Sequence, residues 1–381
     1  MQAAKAAFEL TASLRSPPEV IMGWFSTGSI VSAVRLFQEW GVFDAIPALV
    51  PGGAGPPGIS FSELAAKVEA EESLLVRVSW MLTSNSILKH IPSTPAHLAH
   101  TPTSMLLRTG SPIAAMFKLM YTNIVEVSTI LPPYFNNYGR REPLGPAHIP
   151  CTFLAGEPEL EYFQHINADP ARIANFMLAM GITHRNVPTT GMYPMDGVLA
   201  AAKANPSRPI WVDVGGGDGH TVKIFRSTYG LPAEQCIIQD LPEVITAAQS
   251  AAASSPSDEL TGVKFIPMDF HRDAPVPGAR AYYLRHILRD YSDPTAVNIL
   301  KNLKKGLTEA DSRILIAEQV IEDQPPAYAA FKDFAMLAIG GKERTVEGFK
   351  EIAERAGLEV SGVFRDGVQA AHAVVEMRVK V

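Results

Sequence analysis

The second half of the chain alternates between short apolar runs and amphipathic segments, and this alternation restricts the fold more than any other feature. A parallel sheet covered by helices on both faces has this pattern. The last two predicted strands are closely spaced, which suggests an antiparallel edge hairpin. The sequence therefore predicts a Rossmann-like α/β domain over 206–381 with a seven-stranded, mostly parallel sheet. The predicted strands are 209–214, 235–239, 263–267, 281–287, 313–320, 358–364 and 373–379, and the predicted helices are 221–228, 242–252, 294–307 and 345–356.

A glycine-rich turn lies where the first predicted strand passes into its helix. Residues 212–220 read VDVGGGDGH, so Gly215, Gly217 and Gly219 have the spacing GxGxG. Glycines there let the backbone approach a ligand closely at the carboxyl edge of the sheet. A dinucleotide-binding turn has GxGxxG instead, and His220 stands where its last glycine would be. The turn alone is therefore a moderate signal for a nucleotide.

Acidic residues end the next two predicted strands. Asp240 ends the second strand, at a distance from the turn that suits an acceptor for ribose hydroxyls. Asp269, followed by Phe270, ends the third. Either aspartate alone could be a helix N-cap or a turn residue. Their occurrence at consecutive strand ends favours a nucleotide site.

These segments resemble the S-adenosylmethionine-dependent O-methyltransferases of the plant and fungal small-molecule type, over nearly the whole chain. Further matches are DLP at 240–242, IAE at 316–318, DFAML at 333–337 and GGKERT at 340–345. The resemblance implies that S-adenosylmethionine or S-adenosylhomocysteine is bound, with Asp269 and Phe270 at the adenine edge and face. The implied cofactor residues are Asp213, Gly215, Gly217, Gly219, Asp240, Leu241, Asp269, Phe270 and Arg285.

The chain departs from this family at the catalytic base. In the family this segment usually reads like hILHDWsD, and the His directly before the first Asp deprotonates the acceptor hydroxyl. Here residues 286–293 read HILRDYSD, with Arg289 at the position of that His. A guanidinium has five donors, no acceptor and a pKa above ~12, so it cannot take a proton at neutral pH. In the family, residues matching Glu318 and Glu343 flank and orient the base, and both acids are present here.

Another histidine could replace the base. His286 is an odd number of residues from Arg289 on the predicted strand 281–287, so its side chain is expected on the opposite face. His184 follows a predicted helix in the part of the family that lines the cofactor and the acceptor, and it is the better candidate. His165 is interpreted as a structural residue.

The resemblance also offers a reaction without a base. A few fungal members of the family are pericyclases, and they typically carry Arg or Lys at this position. This implies that Arg289 donates a hydrogen bond to a substrate carbonyl and that Asp290 orients it through a charge-assisted pair. Two alternatives stay open: an active O-methyltransferase with another base or an already ionised substrate, and a non-catalytic ligand-binding paralogue.

Residues 1–205 are predicted to form a helical dimerisation and substrate-lid domain. Residues 72–88 with an extended piece near 96–101 resemble the family's winged-helix part, and Ser60 with Glu63 predicts a helix N-terminus. The Met and aromatic stripes of this half suit either an ordinary core or a pliable apolar pocket for a small-molecule substrate. The pocket residues predicted on both halves are Met120, Tyr121, Phe176, Met180, Met336, Glu318 and Glu343.

The composition argues against several classes of binding partner. The net charge is −6 and no long Lys/Arg run occurs, which argues against a nucleic-acid surface. Cys151 and Cys236 are the only cysteines; they form neither a disulfide framework nor a zinc spacing, so a cytoplasmic protein without a metal is expected. No secretory signal or membrane span is expected. The apolar segment 21–43 predicts a homodimer.

Overall fold

The computed structural model describes residues 14–50, 52, 57–92, 94–186, 188–254, 259–365 and 371–380. These form two compact units. The first contains the described residues up to Tyr121 together with Pro170–Ile182, and the second contains Thr122–Asp169 and the described residues from Thr183 onward. The predicted division at residue 205 separates the chain by role and stays a prediction.

The first unit combines helices with a small antiparallel sheet. Its strands are β1 (Gly58–Ser60), β2 (Leu88–Ile91) and β3 (Thr94–His100), in the order β1-β3-β2. Ser60 caps its helix as predicted: its hydroxyl accepts from the Glu63 N–H at 3.2 Å, while Glu63 accepts from the Ser60 N–H at 3.1 Å. The helices are Pro17–Glu39, Val42–Ala45, Phe61–Val68, Glu72–Thr83, Pro102–Met105 and Pro112–Met120, and Pro170–Asn186 begins in this unit.

Helix Pro17–Glu39 has two dissimilar parts. Its C-terminal part is anchored in the core of the unit, where Phe37 is fully buried, but Trp24 and Phe25 are 68% and 67% exposed. By length and composition alone, it is the one described helix that could cross a membrane, and only 17% of its most apolar window is buried. Such a helix has apolar surface that needs a cover.

The second unit is built on a seven-stranded sheet. Its strands are β4 (Trp211–Val214), β5 (Cys236–Asp240), β6 (Lys264–Pro267), β7 (Ala281–Arg285), β8 (Arg313–Gln319), β9 (Leu358–Arg365) and β10 (His372–Val379). The order is β6-β5-β4-β7-β8-β10-β9. Strands β4 to β8 are parallel, and β10 is antiparallel to both β8 and β9. This confirms the predicted α/β fold, with helices in the N-terminal half and a Rossmann-like sheet in the C-terminal half.

Helices cover both faces of this sheet, which buries β4, β7 and most of β8. The helices of the second unit are Val127–Tyr138, Pro150–Leu154, Tyr162–Asn167, Asp196–Ala204, His220–Tyr229, Pro242–Ala253, Asp293–Lys304, Ala327–Leu337 and Val346–Arg355, with a π-helical turn at Tyr121–Glu126 and 3₁₀ turns at Ala233–Gln235 and Leu288–Asp290.

The predicted strand 281–287 was wrong at its end. Strand β7 stops at Arg285, His286 has a left-handed backbone with φ 56°, and Arg289 lies in the 3₁₀ turn Leu288–Asp290. The odd-spacing argument about His286 therefore does not hold, because the two residues do not share a strand. The chain leaves the sheet here to enter the edge where the parallel strands end.

Candidate active site

The carboxyl ends of four adjacent parallel strands bring the predicted cofactor residues to one edge of the sheet. Gly215 follows β4, Asp240 ends β5, Asp269 comes two residues after β6, and Arg285 ends β7. In the order β6-β5-β4-β7 these strands are neighbours. The helix His220–Tyr229 begins directly after the glycine turn, so its N-terminal end also points to this edge.

The glycine turn is closely packed on its inner side and open at one position. Gly215, Gly217 and Gly219 all have left-handed backbones. A Cβ at Gly215 would lie 2.6 Å from Ile287, and one at Gly219 would lie 2.7 Å from Ile238. A Cβ at Gly217 would meet nothing within 4 Å. The turn therefore offers an approach for a ligand at Gly217.

Two carboxyl groups lie beneath and beside this turn. Asp240 accepts from the Gly217 N–H at 2.9 Å and from the Leu241 N–H at 2.7 Å, which holds the turn against β5. Asp213 is 2% exposed, and its Oδ2 has no hydrogen-bond partner among the residues that the structure describes. Burial, with the Asp240 carboxyl nearby, raises the pKa of Asp213 to about 7.

These features fit a nucleoside with a charged amino-acid tail. The open approach at Gly217 and the orphaned Asp213 oxygen are features that such a ligand can use. Asp269 is already engaged locally, since its Oδ1 accepts from the His271 N–H at 2.9 Å. Phe270 is partly buried against the core, its ring centroid 6.0 Å from that of Tyr291.

Arg289 lies at the same edge, with its guanidinium mostly buried. Its Nη2 is 2.8 Å from Glu343 Oε1, and the side chains are 13% and 0% exposed. Nε and Nη2 also contact the Met336 sulfur at 3.4 and 3.3 Å. Nη1 has no hydrogen-bond partner in the described part of the chain. Arg289 therefore keeps one set of donors uncommitted.

Glu343, and not Asp290, is the ion-pair partner of Arg289. The predicted charge-assisted pair with Asp290 is wrong, because the 3₁₀ turn presents the Arg289 guanidinium to Glu343. The 2.8 Å contact is an ion pair by distance without an aligned hydrogen bond, so both Glu343 oxygens lack an aligned donor among the described residues. Glu318 Oε1 accepts from the backbone N–H of Arg289 at 3.1 Å.

Burial shifts the acids around Arg289 toward their neutral forms. It raises the pKa of Glu343 to about 7 and that of Asp290 to about 7, although Arg289 opposes both shifts. The pKa of Glu318 is raised by burial as well, against the opposing charge of Arg344. The cluster can therefore hold a proton near neutral pH.

The segment GGKERT at 340–345 clamps the turn that carries Arg289. Gly341 must be glycine, since a Cβ there would lie 2.3 Å from the Arg289 carbonyl oxygen. Lys342 donates its backbone N–H to that oxygen at 2.7 Å. Buried Arg344 donates to the carbonyls of Leu288 and Tyr291, both at 2.8 Å. The motif thus positions Arg289 by backbone contacts.

Sequence reasoning missed three polar residues near this edge, namely Lys332, Gln319 and His372. Lys332 precedes Met336 by four residues on helix Ala327–Leu337, a spacing that puts both side chains on one face. His372 begins β10 directly opposite Gln319 at the end of β8. The rings of His372 and His286 are 5.9 Å apart between centroids. Only the helical spacing of Lys332 was readable beforehand.

The other predicted site residues are distributed over both units. Met120, Phe176 and Met180 pack against Ala115, Leu119 and Ala179 in the first unit. The Tyr121 ring there lies under the Arg35 guanidinium at 5.9 Å. The side chain of His184 is outside the described part of the chain. His165 is buried, with Nδ1 2.6 Å from Glu157.

Known proteins share this fold and this length. Residues 161–359 match the family model of the O-methyltransferase domain. Methyltransferase fsa4 of Fusarium sp. is 32% identical over 364 residues, or 94% of this chain and 95% of that protein. A structure described as "A Pericyclic Reaction enzyme" superimposes with a TM-score of 0.81 at 26% identity, covering 100% of this chain and 94% of its own. OxaC in complex with SAH and oxaline gives 0.84 at 25% identity, covering 99% and 91%.

Proposed function

We propose that this chain, which belongs to the O-methyltransferase domain family and is similar to a protein solved with S-adenosylmethionine, is a pericyclase of fungal secondary metabolism. In this proposal the protein binds a small apolar polyene and catalyses an intramolecular Diels–Alder, hetero-Diels–Alder or Alder-ene cyclisation. The observation that carries the proposal is the uncommitted Nη1 of Arg289 at the position of the family's base.

Arg289 suits a reaction that needs a donor rather than a base. Negative charge builds up on a carbonyl oxygen conjugated to the reacting diene, and one fixed donor stabilises such charge by ~2.7–4 kcal/mol. Glu343 and Met336 hold the guanidinium in place, so little reorganisation is needed when the substrate arrives. Holding the substrate in its folded, reactive conformation lowers the barrier further.

The cofactor would lie at the glycine turn, held by Gly215, Gly217, Asp240 and their neighbours. When bound, S-adenosylmethionine supplies a positive sulfonium whose field adds to that of Arg289. Asp213 and Arg285 lie beneath the turn and at the end of β7, where they would orient the tail of the cofactor. The structural neighbour described as a pericyclic reaction enzyme supports this proposal.

Methyl transfer is the second candidate. It is favoured by fsa4, which is named a methyltransferase, and by OxaC, which was solved with SAH and oxaline. Glu318 and Glu343 are also present where the family uses acids. This reaction would need an acceptor that is already ionised, or a base other than residue 289.

Mass spectrometry separates the two reactions. The purified protein is incubated with S-adenosylmethionine and a carbonyl-conjugated diene that carries a tethered alkene. A product isomeric with the substrate, formed also when S-adenosylhomocysteine replaces S-adenosylmethionine, supports cyclisation. A gain of one methylene with release of S-adenosylhomocysteine would establish methyl transfer instead. Unchanged substrate from a protein that still binds the cofactor would favour the non-catalytic reading.

A further inference from the structure

Lys332 is a half-buried cation beside the Arg289 site. It lies on the face of helix Ala327–Leu337 that also carries Met336, whose sulfur contacts Arg289. Its neighbour Asp333 accepts from the backbone N–H of Glu343 at 2.8 Å, which ties this part of the helix to the site. Its Nζ lies 5.4 Å from the centroid of the Tyr328 ring. Lys332 makes no ion pair within the described residues.

Cations act on the ring of His372. Burial, together with the charges of Lys332, Arg289 and Arg285, lowers the pKa of His372 to about 4. His372 is therefore neutral at physiological pH. Glu343 occupies only the Nη2 side of the Arg289 guanidinium.

Gln319 is a buried amide beside His372. It is 1% exposed, and neither its Nε2 nor its Oε1 has a hydrogen-bond partner in the described parts of the chain. Gln319 and His372 are directly paired across the antiparallel strands β8 and β10, so their side chains lie on one face of the sheet. A buried amide without partners is costly, and a polar ligand group would offset that cost.

We propose that the substrate binds as an organic anion, an ionised carboxyl or acidic enol, with its negative oxygen between Arg289 Nη1 and Lys332 Nζ. The proposal rests on the proposed function only in taking the Arg289 site as the substrate site.

The absorbance of 4-nitrophenol tests this directly, because the phenol and the phenolate absorb at different wavelengths. The holoprotein with S-adenosylhomocysteine allows no methyl transfer. We expect the bound phenol to have an apparent pKa lower than that of the free phenol by about one unit or more, which is a ~10-fold preference for the phenolate. The neutral isostere 4-nitroanisole should bind at least ~10-fold more weakly at pH 8.

Two lysine variants locate the effect. Lys332→Met should remove roughly fivefold or more of the preference for the phenolate, as loss of one nearby cation requires, and should leave 4-nitroanisole binding unchanged. Lys332→Arg should retain the preference. Lys301→Met, on an exposed face of helix Asp293–Lys304, is the matched control and should behave like the wild type.

Equal binding of 4-nitrophenol and 4-nitroanisole by the wild type would overturn the proposal, as would an unaltered phenolate preference in Lys332→Met. If Lys332→Met does not fold, a loss of preference in Lys332→Arg would count against the charge argument. The assay contains no turnover. If cyclisation fails but the phenolate is still preferred, the proposed function is rejected and the anion site is kept. If cyclisation occurs but the phenolate is not preferred, only the anion site is rejected.

Discussion

At the scale of single residues, replacing an imidazole by a guanidinium changes the task of the acids around it. Carboxylates beside a histidine orient its ring and stabilise the imidazolium that forms. Beside Arg289, the Glu343 carboxylate meets a charge that is permanent, and burial pushes the pKa of Glu343 to about 7. The ion pair therefore holds the Arg289 guanidinium in place as a donor.

Variants at position 289 should separate the donor role from the base role. Arg289→Ala is expected to lower cyclisation turnover by at least ~100-fold, as loss of an oxyanion-type donor does. Arg289→Lys keeps one charged donor and should retain part of the rate. Arg289→His should not raise cyclisation but should allow slow methylation of a phenol, since Glu318 and Glu343 are still present. Turnover and product mass are the measurements.

Cofactor affinity is the control for these variants, and it should change little in all three. Because Arg289→Ala leaves Glu343 buried without its ion pair, thermal unfolding is recorded for each variant. A full cyclisation rate in a folded Arg289→Ala protein would make the residue a bystander and remove the main support for the pericyclase proposal.

Asp213 should make the stability of the cofactor-free protein depend on pH. Its pKa is raised from 3.8 in the unfolded chain to about 7 in the fold. The stability associated with the neutral form is fully present below about pH 4 and is lost as the pH rises through about 7. Asp213→Asn should remove this loss, so its melting temperature should exceed that of the wild type by a few degrees at pH 8 but not at pH 4.

Asp196→Asn, the same substitution at an exposed position, is the matched control. If the difference in melting temperature between wild type and Asp213→Asn is the same at pH 4 and pH 8, the Asp213 carboxyl is not neutral in the fold.

Part of the site was readable from the sequence and part was not. Strand ends are local features, so Gly215, Asp240 and Asp269 could be placed at one edge before the structure was known. The contact between Arg289 and Glu343 could not be predicted, because the two residues are 54 positions apart in the chain. Backbone contacts of the segment 340–345 bring them together. Whether the predicted residues bind the cofactor and the substrate stays a prediction.

At the scale of elements, the strands of the second unit were predicted closely except where apolar sequence continues past the end of the ladder. Ile287 and Leu288 prolong the apolar run after Arg285, yet the chain turns out of the sheet at His286. A left-handed residue other than glycine leaves no mark in hydrophobic periodicity. The chain between 161 and 186 likewise forms two helices, Tyr162–Asn167 and Pro170–Asn186, because Pro170 starts a new one.

The glycine turn allows a test in which fold and ligand are separated. Gly217 and Gly230 both have left-handed backbones with no atom within 4 Å of an added Cβ, but only Gly217 lies in the turn. Alanine at either position should cost a similar ~1–2 kcal/mol of backbone strain. Gly217→Ala should also weaken S-adenosylhomocysteine binding by ~10-fold or more, because its methyl group enters the approach for the ligand.

Calorimetry measures both affinities, and thermal unfolding compares the two variants. Equal affinities in Gly217→Ala and Gly230→Ala would mean that the cofactor does not approach the turn at Gly217.

At the scale of the whole molecule, short-range sequence patterns predict the seven-stranded sheet. They do not predict what packs against the exposed apolar side chains of helix Pro17–Glu39. Val34 and Phe37, in the C-terminal part of this helix, pack into the core of its own unit. The preceding part has no such partner pattern, and its Met22, Trp24 and Phe25 are more than 60% exposed, at 64%, 68% and 67%. The hydrophobic periodicity of one chain does not show which molecule covers an exposed apolar surface.

A second copy of the chain is the cover that we expect for these side chains. Obligate dimers usually bury more than ~2,000 Å² of total accessible surface, and Trp and Phe are favoured in such interfaces. Light scattering at micromolar concentration, without detergent, should give twice the mass of one chain. Trp24→Glu combined with Phe25→Glu should give a monomer, whereas Leu144→Glu, at a 55% exposed loop position, should not. A monomeric wild type that instead floats with lipid vesicles would assign the helix to a membrane surface.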